Sequence, residues 1–134
     1  MLDFPVPAHT AAKRPRPFDW QKPTQYDDCQ KAAFHRTASG RLKLLAAQLG
    51  WHQADFDLRS NKAGIAVSGE IILHHERVYI CVSQSCMGAQ SGILIRTCKG
   101  RRDYTGGRNH FAALSLLDDP PALAERVAAI VAGV

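Results

Sequence analysis

The chain has 134 residues, of which 46% are hydrophobic and 22% charged, a composition typical of one globular domain rather than of a disordered protein. No apolar run approaches the roughly 18 residues that suggest a membrane-spanning helix, so we expect no membrane partner. Seventeen Lys and Arg against twelve Asp and Glu give a formal net charge of +5. This charge favours an acidic partner, such as a nucleic acid or an acidic protein surface.

The N-terminal stretch has the composition of an arm. Five of the seven prolines lie before residue 24, which forbids a continuous helix and favours extended backbone. We therefore predict an extended proline-rich arm over residues 1–24 and a single α+β domain over residues 25–134. Phe18 and Trp20 are the predicted anchors of the arm, either on the domain or on a partner.

Targeting and redox features indicate an intracellular protein. The first seven residues contain an early acid and two prolines and do not predict a secretory signal, so we expect a cytoplasmic protein. Reduced thiols are expected there in preference to two disulfides. The four cysteines are Cys29, Cys81, Cys86 and Cys98.

Helical periodicity occurs at both ends of the predicted domain. One segment begins at Asp27 and a stronger one runs from Gly40 to Leu49, where apolar residues recur at i, i+3, i+4 and i+7. The sequence leaves open whether Gly40 breaks one long helix or only weakens it. Arg41 and Lys43 lie off the apolar stripe and are expected to face solvent. A C-terminal helix is predicted after Asp119, which can cap it, with Pro120 at the first helical position.

Between the helices, the apolar period changes from 3.6 to 2, which predicts strands. Strands are expected over residues 65–74, 78–82 and 92–98, with a shorter fourth candidate at Phe56 to Ser60. The predicted fold is therefore α+β, an antiparallel three- to four-stranded meander packed against an N-terminal and a C-terminal helix.

Alternation also predicts the register of these strands. A turn at His75-Glu76 would place Leu73 opposite Val78, which keeps the apolar residues on one face. In the next pair, Ile93 is expected opposite Val82 and Arg96 beside Tyr79.

The stretch from Arg96 to His110 is the main functional candidate, because it holds five Lys and Arg against one Asp. We expect it to link the last predicted strand to the C-terminal helix. Guanidinium groups match phosphate oxygens and Tyr can stack on a base, so this stretch is a plausible phosphate-binding surface. Gly106-Gly107 either lets backbone N–H groups approach an anion or simply forms a tight turn, with Asp103 neutralising one Arg. The predicted nucleic-acid or partner-binding residues are Arg96, Lys99, Arg101, Arg102, Tyr104, Arg108, Asn109 and His110.

Two other kinds of site are weaker candidates. The candidate ligands of a zinc site are His74, His75, Cys81, Cys86 and Cys98. Structural zinc sites usually show close Cys pairs such as C-x2-C, which this sequence lacks. We therefore predict ordinary buried thiols, no metal and no cofactor. Acid–base chemistry on a phosphodiester could use His110 with Asp103, Glu70 or Tyr104, although no nucleophile motif accompanies it.

Two blocks of the sequence, Arg59 to Glu70 and Gly100 to Phe111, resemble small proteins carried by proteobacterial phages and other mobile elements. The resemblance implies a context but supplies neither an activity nor site residues. Small phage proteins without catalytic motifs often block host machinery, including CRISPR effectors.

These observations together predict a non-enzymatic binding protein of a phage or mobile element. It would engage a nucleic acid or a host nucleoprotein complex through its basic surface and thereby inhibit a host defence system. The alternative is a small enzyme acting on a nucleotide or phosphodiester.

Overall fold

The computed structural model describes residues 18–20, 28–61, 69–84, 89–104 and 106–133. Most of the predicted arm, the first part of the strand predicted over residues 65–74, and Cys86 lie outside these ranges.

The described residues form an α+β fold with an antiparallel meander, as predicted. The helices are α1 (Asp28–Gln48) and α2 (Pro120–Val131). The strands are β1 (Phe56–Asn61), β2 (Glu70–His75), β3 (Val78–Val82), β4 (Ile93–Thr97) and β5 (His110–Ala112). Short 3-10 helices span Gln53–Asp55, Ala89–Ser91 and Leu114–Asp118. All five strands pair in sequence order in one sheet, so the described sheet has one strand more than the prediction allowed.

Helix α1 is continuous through Gly40. A Cβ at this position would meet no other atom, so glycine is not required there by packing and only weakens the helix. The expectation that Arg41 faces solvent was wrong. Its side chain is 14% exposed, and its Nε lies 3.0 Å from Oδ1 of Asp118. Lys43 is exposed, as expected.

The predicted register of β2 with β3 was wrong by two residues. Leu73 lies opposite Ile80 rather than Val78, and the turn falls at Glu76-Arg77. A shift of two residues keeps every side chain on its face, so alternation alone could not distinguish the two registers. In this register β2 extends one residue further, to His75, and the ring of His75 stacks on that of Trp51 with centroids 3.9 Å apart. The register of β3 with β4 is confirmed, with Val82 opposite Ile93 and Tyr79 opposite Arg96.

The sheet has two different faces. We call the face on which α1 and α2 pack the inner face; it is apolar and fully buried at Leu73, Ile80 and Ile95. We call the opposite one the outer face; it is mixed in character. From the register, the outer-face residues are Asp57, Arg59, Asn61, Glu70, Ile72, His74, Tyr79, Cys81, Leu94, Arg96 and Phe111.

The two predicted arm anchors contact the domain itself. Trp20 is 4% exposed, and its ring lies edge-on to Phe34 with centroids 5.8 Å apart. Its indole Nε1 donates to Oδ2 of Asp118 at 2.8 Å, and the backbone N–H of Phe18 donates to the same oxygen at 3.3 Å. This part of the predicted arm therefore belongs to the core of the domain.

The start of α2 follows the prediction. Oδ1 of Asp119 accepts a hydrogen bond from the backbone N–H of Ala122 at 3.4 Å, and Pro120 is the first helical residue. Leu123 and Val127 are buried against the rest of the core. Within the described ranges, neither helix has the length and apolar character needed to cross a membrane.

Candidate functional site

The predicted basic stretch forms the connection between β4 and β5 (residues 98–109), and this connection folds back over the outer face of the sheet. The backbone oxygen of Gly100 lies 3.0 Å from Nε2 of His74 on β2. The ring of Tyr104 packs edge-on against His74, with centroids 5.2 Å apart, and lies 6.4 Å from the ring of Tyr79 on β3. The stretch is thus a hairpin connection, whereas we expected a linker from the last strand to the C-terminal helix.

The connection holds its shape through Asp103 and two glycines. Oδ2 of Asp103 accepts from the backbone N–H of Lys99 at 2.9 Å, and Oδ1 accepts from that of Gly106 at 3.0 Å. Gly107 has a φ of 80°, and a Cβ there would collide with the backbone of Thr97. The N–H of Gly106 is already used within the loop, so this geometry favours a tight turn over an anion cradle.

Arg96 links the sheet to the connection. Its guanidinium carbon lies 4.4 Å from the ring centroid of Tyr79, the cross-strand neighbour that the predicted register gave it. Its two terminal nitrogens donate to the backbone oxygen of Tyr104 and, at 3.5 Å, to Oδ1 of Asn109. The structure therefore brings together three of the predicted site residues, namely Arg96, Tyr104 and Asn109.

Arg101 fixes the other side of the connection. Its Nε lies 3.3 Å from Oε2 of Glu76, its Nη1 lies 3.6 Å from Oδ1 of Asp57, and its Nη2 donates to the backbone oxygen of Ala54. Two carboxylates thus offset its charge, so Arg101 positions the connection and contributes little to the net positive field.

Arg59 joins the site, although it was not among the predicted site residues. It lies on the outer face of edge strand β1, with its guanidinium carbon 5.7 Å from the ring centroid of Tyr104. Arg59 and Tyr104 line an open depression of about 600 Å³, together with Asp57, Arg101 and Arg102. Alternation along Asp57, Arg59 and Asn61 could have placed Arg59 on the outer face, but it gave no sign of the contact with Tyr104.

Three predicted cations remain in solvent. Lys99, Arg102 and Arg108 are all exposed, and no ion pair joins them to the residues that the structure describes. Tyr104, beside them in the connection, is 50% exposed. The uncompensated positive charge of the connection is therefore concentrated on these three side chains.

His110 lies on the other face of the sheet from most of its proposed catalytic partners. It pairs with Ile95, and alternation places it on the inner-face side, whereas Glu70 and Tyr104 lie on the outer face. The acid–base constellation of His110 with Glu70 or Tyr104 is therefore not assembled.

The thiols of Cys81 on β3 and Cys98 just after β4 are not activated. Burial, reinforced by the nearby carboxylate of Glu70, raises the pKa of Cys81 to about 12, and its Sγ lies 3.5 Å from Oε2 of Glu70. Burial likewise raises the pKa of Cys98, whose Sγ donates to the backbone oxygen of His75 at 3.3 Å. Both thiols are protonated at neutral pH and are poor nucleophiles.

Among the described residues, no group of three or more His, Cys, Asp or Glu side chains could hold a metal ion.

His74 is the buried polar residue beneath the connection. The carbonyl of Gly100 can only accept, so Nε2 of His74 carries the proton and Nδ1 is an acceptor without a partner. Burial lowers the pKa of His74, an effect that Arg59 reinforces and that the bond to Gly100, Asp57 and Asp103 oppose. The ring is neutral at pH 7 and supports Tyr104 from below.

Comparisons with protein-family models, with curated proteins and with solved structures found no match to this chain. The outer face and the β4–β5 connection are therefore the parts of the molecule from which a function can be inferred.

Proposed function

We propose that this chain is a non-enzymatic binding protein that holds a nucleic acid, free or within a nucleoprotein complex, against the outer face of its sheet. One observation carries this proposal: the β4–β5 connection folds back so that Tyr104 and Arg102 share a depression with Arg59 of β1. Residues far apart in sequence thus form one cationic and aromatic surface.

The chemistry of this surface suits phosphates. Lys99, Arg102 and Arg108 are exposed cations without an ion-pair partner in the described part of the chain, so binding a phosphate would break no existing ion pair. Arginine presents a planar fork of donors that matches two phosphate oxygens at once. Arg96, on the outer face, is instead held over Tyr79 and keeps the connection in place.

The biological setting that we propose is a phage or mobile element whose protein inhibits a host defence system, such as a CRISPR effector. This setting depends only on the resemblance of two sequence blocks. An enzyme acting on a nucleotide or phosphodiester is the weaker alternative, because His110 is separated from Glu70 and Tyr104 and the thiol of Cys81 is not activated.

Salt dependence tests the proposal. Each phosphate contact releases counterions, so the logarithm of the binding constant should fall linearly with the logarithm of the salt concentration, by about 0.7 to 0.9 per contact. The triple variant Lys99→Gln, Arg102→Gln, Arg108→Gln should bind a fluorescent 20-nucleotide probe more weakly than the wild type. Its salt slope, measured by anisotropy, should be smaller by about 2 to 3.

A second triple variant provides the matched control. Arg36→Gln, Lys43→Gln and Arg77→Gln remove the same formal charge from exposed positions on α1 and on the β2–β3 turn. This variant should keep a salt slope close to that of the wild type. The proposal is wrong if no probe binds at low salt, or if the two triple variants lose affinity equally.

A further inference from the structure

We infer that the outer face binds single-stranded rather than duplex nucleic acid, with unpaired bases stacked on Tyr104 and Phe111. This inference rests on the proposed function and adds to it the class of nucleic acid.

Two exposed aromatic rings on the outer face favour a single-stranded ligand. Three large hydrophobic side chains are exposed among the described residues, and two of them, Tyr104 at 50% and Phe111 at 42%, lie on or over the outer face. Exposed aromatic side chains beside cationic groups are typical of surfaces that stack unpaired bases. In a duplex the base faces are already stacked on one another, so a duplex could not use these rings.

Tyr104 is well placed for stacking. His74 and Tyr79 contact it edge-on from the sheet, and Arg96 donates to its backbone oxygen, so the ring has a fixed support. Half of the side chain nevertheless remains in solvent. A supported aromatic ring loses little conformational freedom when a base stacks on it, which strengthens binding.

Phosphate donors lie beside this ring. Arg59 and Arg102 line the same depression as Tyr104. A phosphate attached to a base on Tyr104 would therefore lie within reach of two guanidinium groups. Asp57, also in the depression, lies 3.8 Å from Nη1 of Arg59 and partly offsets its charge. Arg102 is exposed and has no ion pair with the described residues, so its guanidinium is the readier phosphate donor.

The position of the two helices disfavours sequence-specific binding to a duplex. Sequence-specific proteins usually insert a helix or a two-stranded ribbon into the major groove. Here both described helices, α1 and α2, pack on the inner face, away from the cationic surface. A duplex could therefore meet the outer face only through its phosphates.

The experiment compares one 12-nucleotide sequence as a single strand and as a blunt duplex, both labelled with fluorescein, by anisotropy at one salt concentration. The wild type should bind the single strand at least about tenfold more tightly. Tyr104→Leu should weaken single-strand binding by about 5- to 150-fold, the range that loss of one stacked base produces. Tyr104→Trp should restore it, and duplex binding should change little in either variant.

Phe111→Leu serves as an independent second variant, because Phe111 lies on β5 and not in the connection. It should also weaken single-strand binding selectively. Far-UV circular dichroism and the melting temperature of each variant establish that it is folded. Leu44→Ala, at an exposed hydrophobic position on α1, is the control and should bind as the wild type does.

The possible outcomes separate this inference from the proposed function. Equal affinity for duplex and single strand, or a single-strand preference that both aromatic substitutions leave intact, overturns the inference while nucleic-acid binding stands. Failure of the protein to bind either probe overturns the proposed function and this inference together.

Discussion

At His74 a single buried side chain joins the sheet to the β4–β5 connection. Its Nε2 bonds the backbone of Gly100, while its ring supports Tyr104 and contacts Tyr79 edge-on at 5.1 Å between centroids. A protonated ring here would bring a buried positive charge next to Arg59. The neutral ring is therefore part of the folded arrangement of the site.

The burial of His74 and of its neighbour His75 predicts that the protein loses stability in mild acid. The pKa values of His74 and His75 are lowered in the folded state, chiefly by burial, from an ordinary value of 6.5. Below pH 6.5 the unfolded chain therefore takes up more protons than the folded chain, and the free energy of unfolding decreases as the pH falls from 7.5 to 5.5. Urea denaturation at pH 7.5, 6.5 and 5.5 measures this decrease.

The variant His74→Gln tests whether His74 causes part of this decrease in the free energy of unfolding. In His74→Gln the amide nitrogen can still donate to Gly100, but the side chain does not titrate. The variant should be less stable than the wild type at pH 7.5 and should lose less stability on acidification. Equal pH dependence in the two proteins would contradict the assignment.

At the scale of single elements, α1 contains a glycine that its geometry does not need. Gly40 lies inside the helix, and a Cβ there would meet no other atom. Gly40→Ala should therefore raise the free energy of unfolding by about 0.5–1 kcal/mol, because alanine loses less backbone entropy on entering a helix. Chemical denaturation followed by circular dichroism would measure this gain.

The glycine after the same helix provides a control of opposite sign. Gly50 also has open space around it, but its φ is 77°, in the left-handed region. Gly50→Ala should destabilise the protein by about 1 kcal/mol, since a Cβ is disfavoured in that conformation. If both substitutions changed stability in the same direction, the backbone explanation would be wrong.

The elements also show what the sequence could predict. Periodicity identified the helices and the β3–β4 register, and the spacing around Asp119 identified the start of α2, since each depends on residues close together in the chain. Strand β5 was missed because three residues are too few to show alternation. Arg59 was missed because its proximity to Tyr104 arises only when the connection folds back over the sheet.

At the scale of the whole molecule, Asp118 joins three distant parts of the chain. Its carboxylate accepts hydrogen bonds from the backbone of Phe18, the indole of Trp20 and the guanidinium of Arg41. Both members of the ion pair are largely buried, with side chains 16% and 14% exposed. The segment around Trp20 should therefore unfold together with the domain and not before it.

Tryptophan fluorescence tests this cooperativity. The chain has two Trp residues, so Trp51→Phe leaves Trp20 as the single reporter and retains an aromatic ring beside His75. In this variant, the urea transition seen by Trp20 fluorescence should coincide with that seen by far-UV circular dichroism, as two-state unfolding requires.

Adding Asp118→Ala to this variant leaves the guanidinium of Arg41 and the indole of Trp20 without their hydrogen-bond acceptor. It should lower the free energy of unfolding by about 3–5 kcal/mol and move both transitions together. An earlier fluorescence transition would instead show that the segment around Trp20 docks as a separate unit, despite the burial of its indole ring.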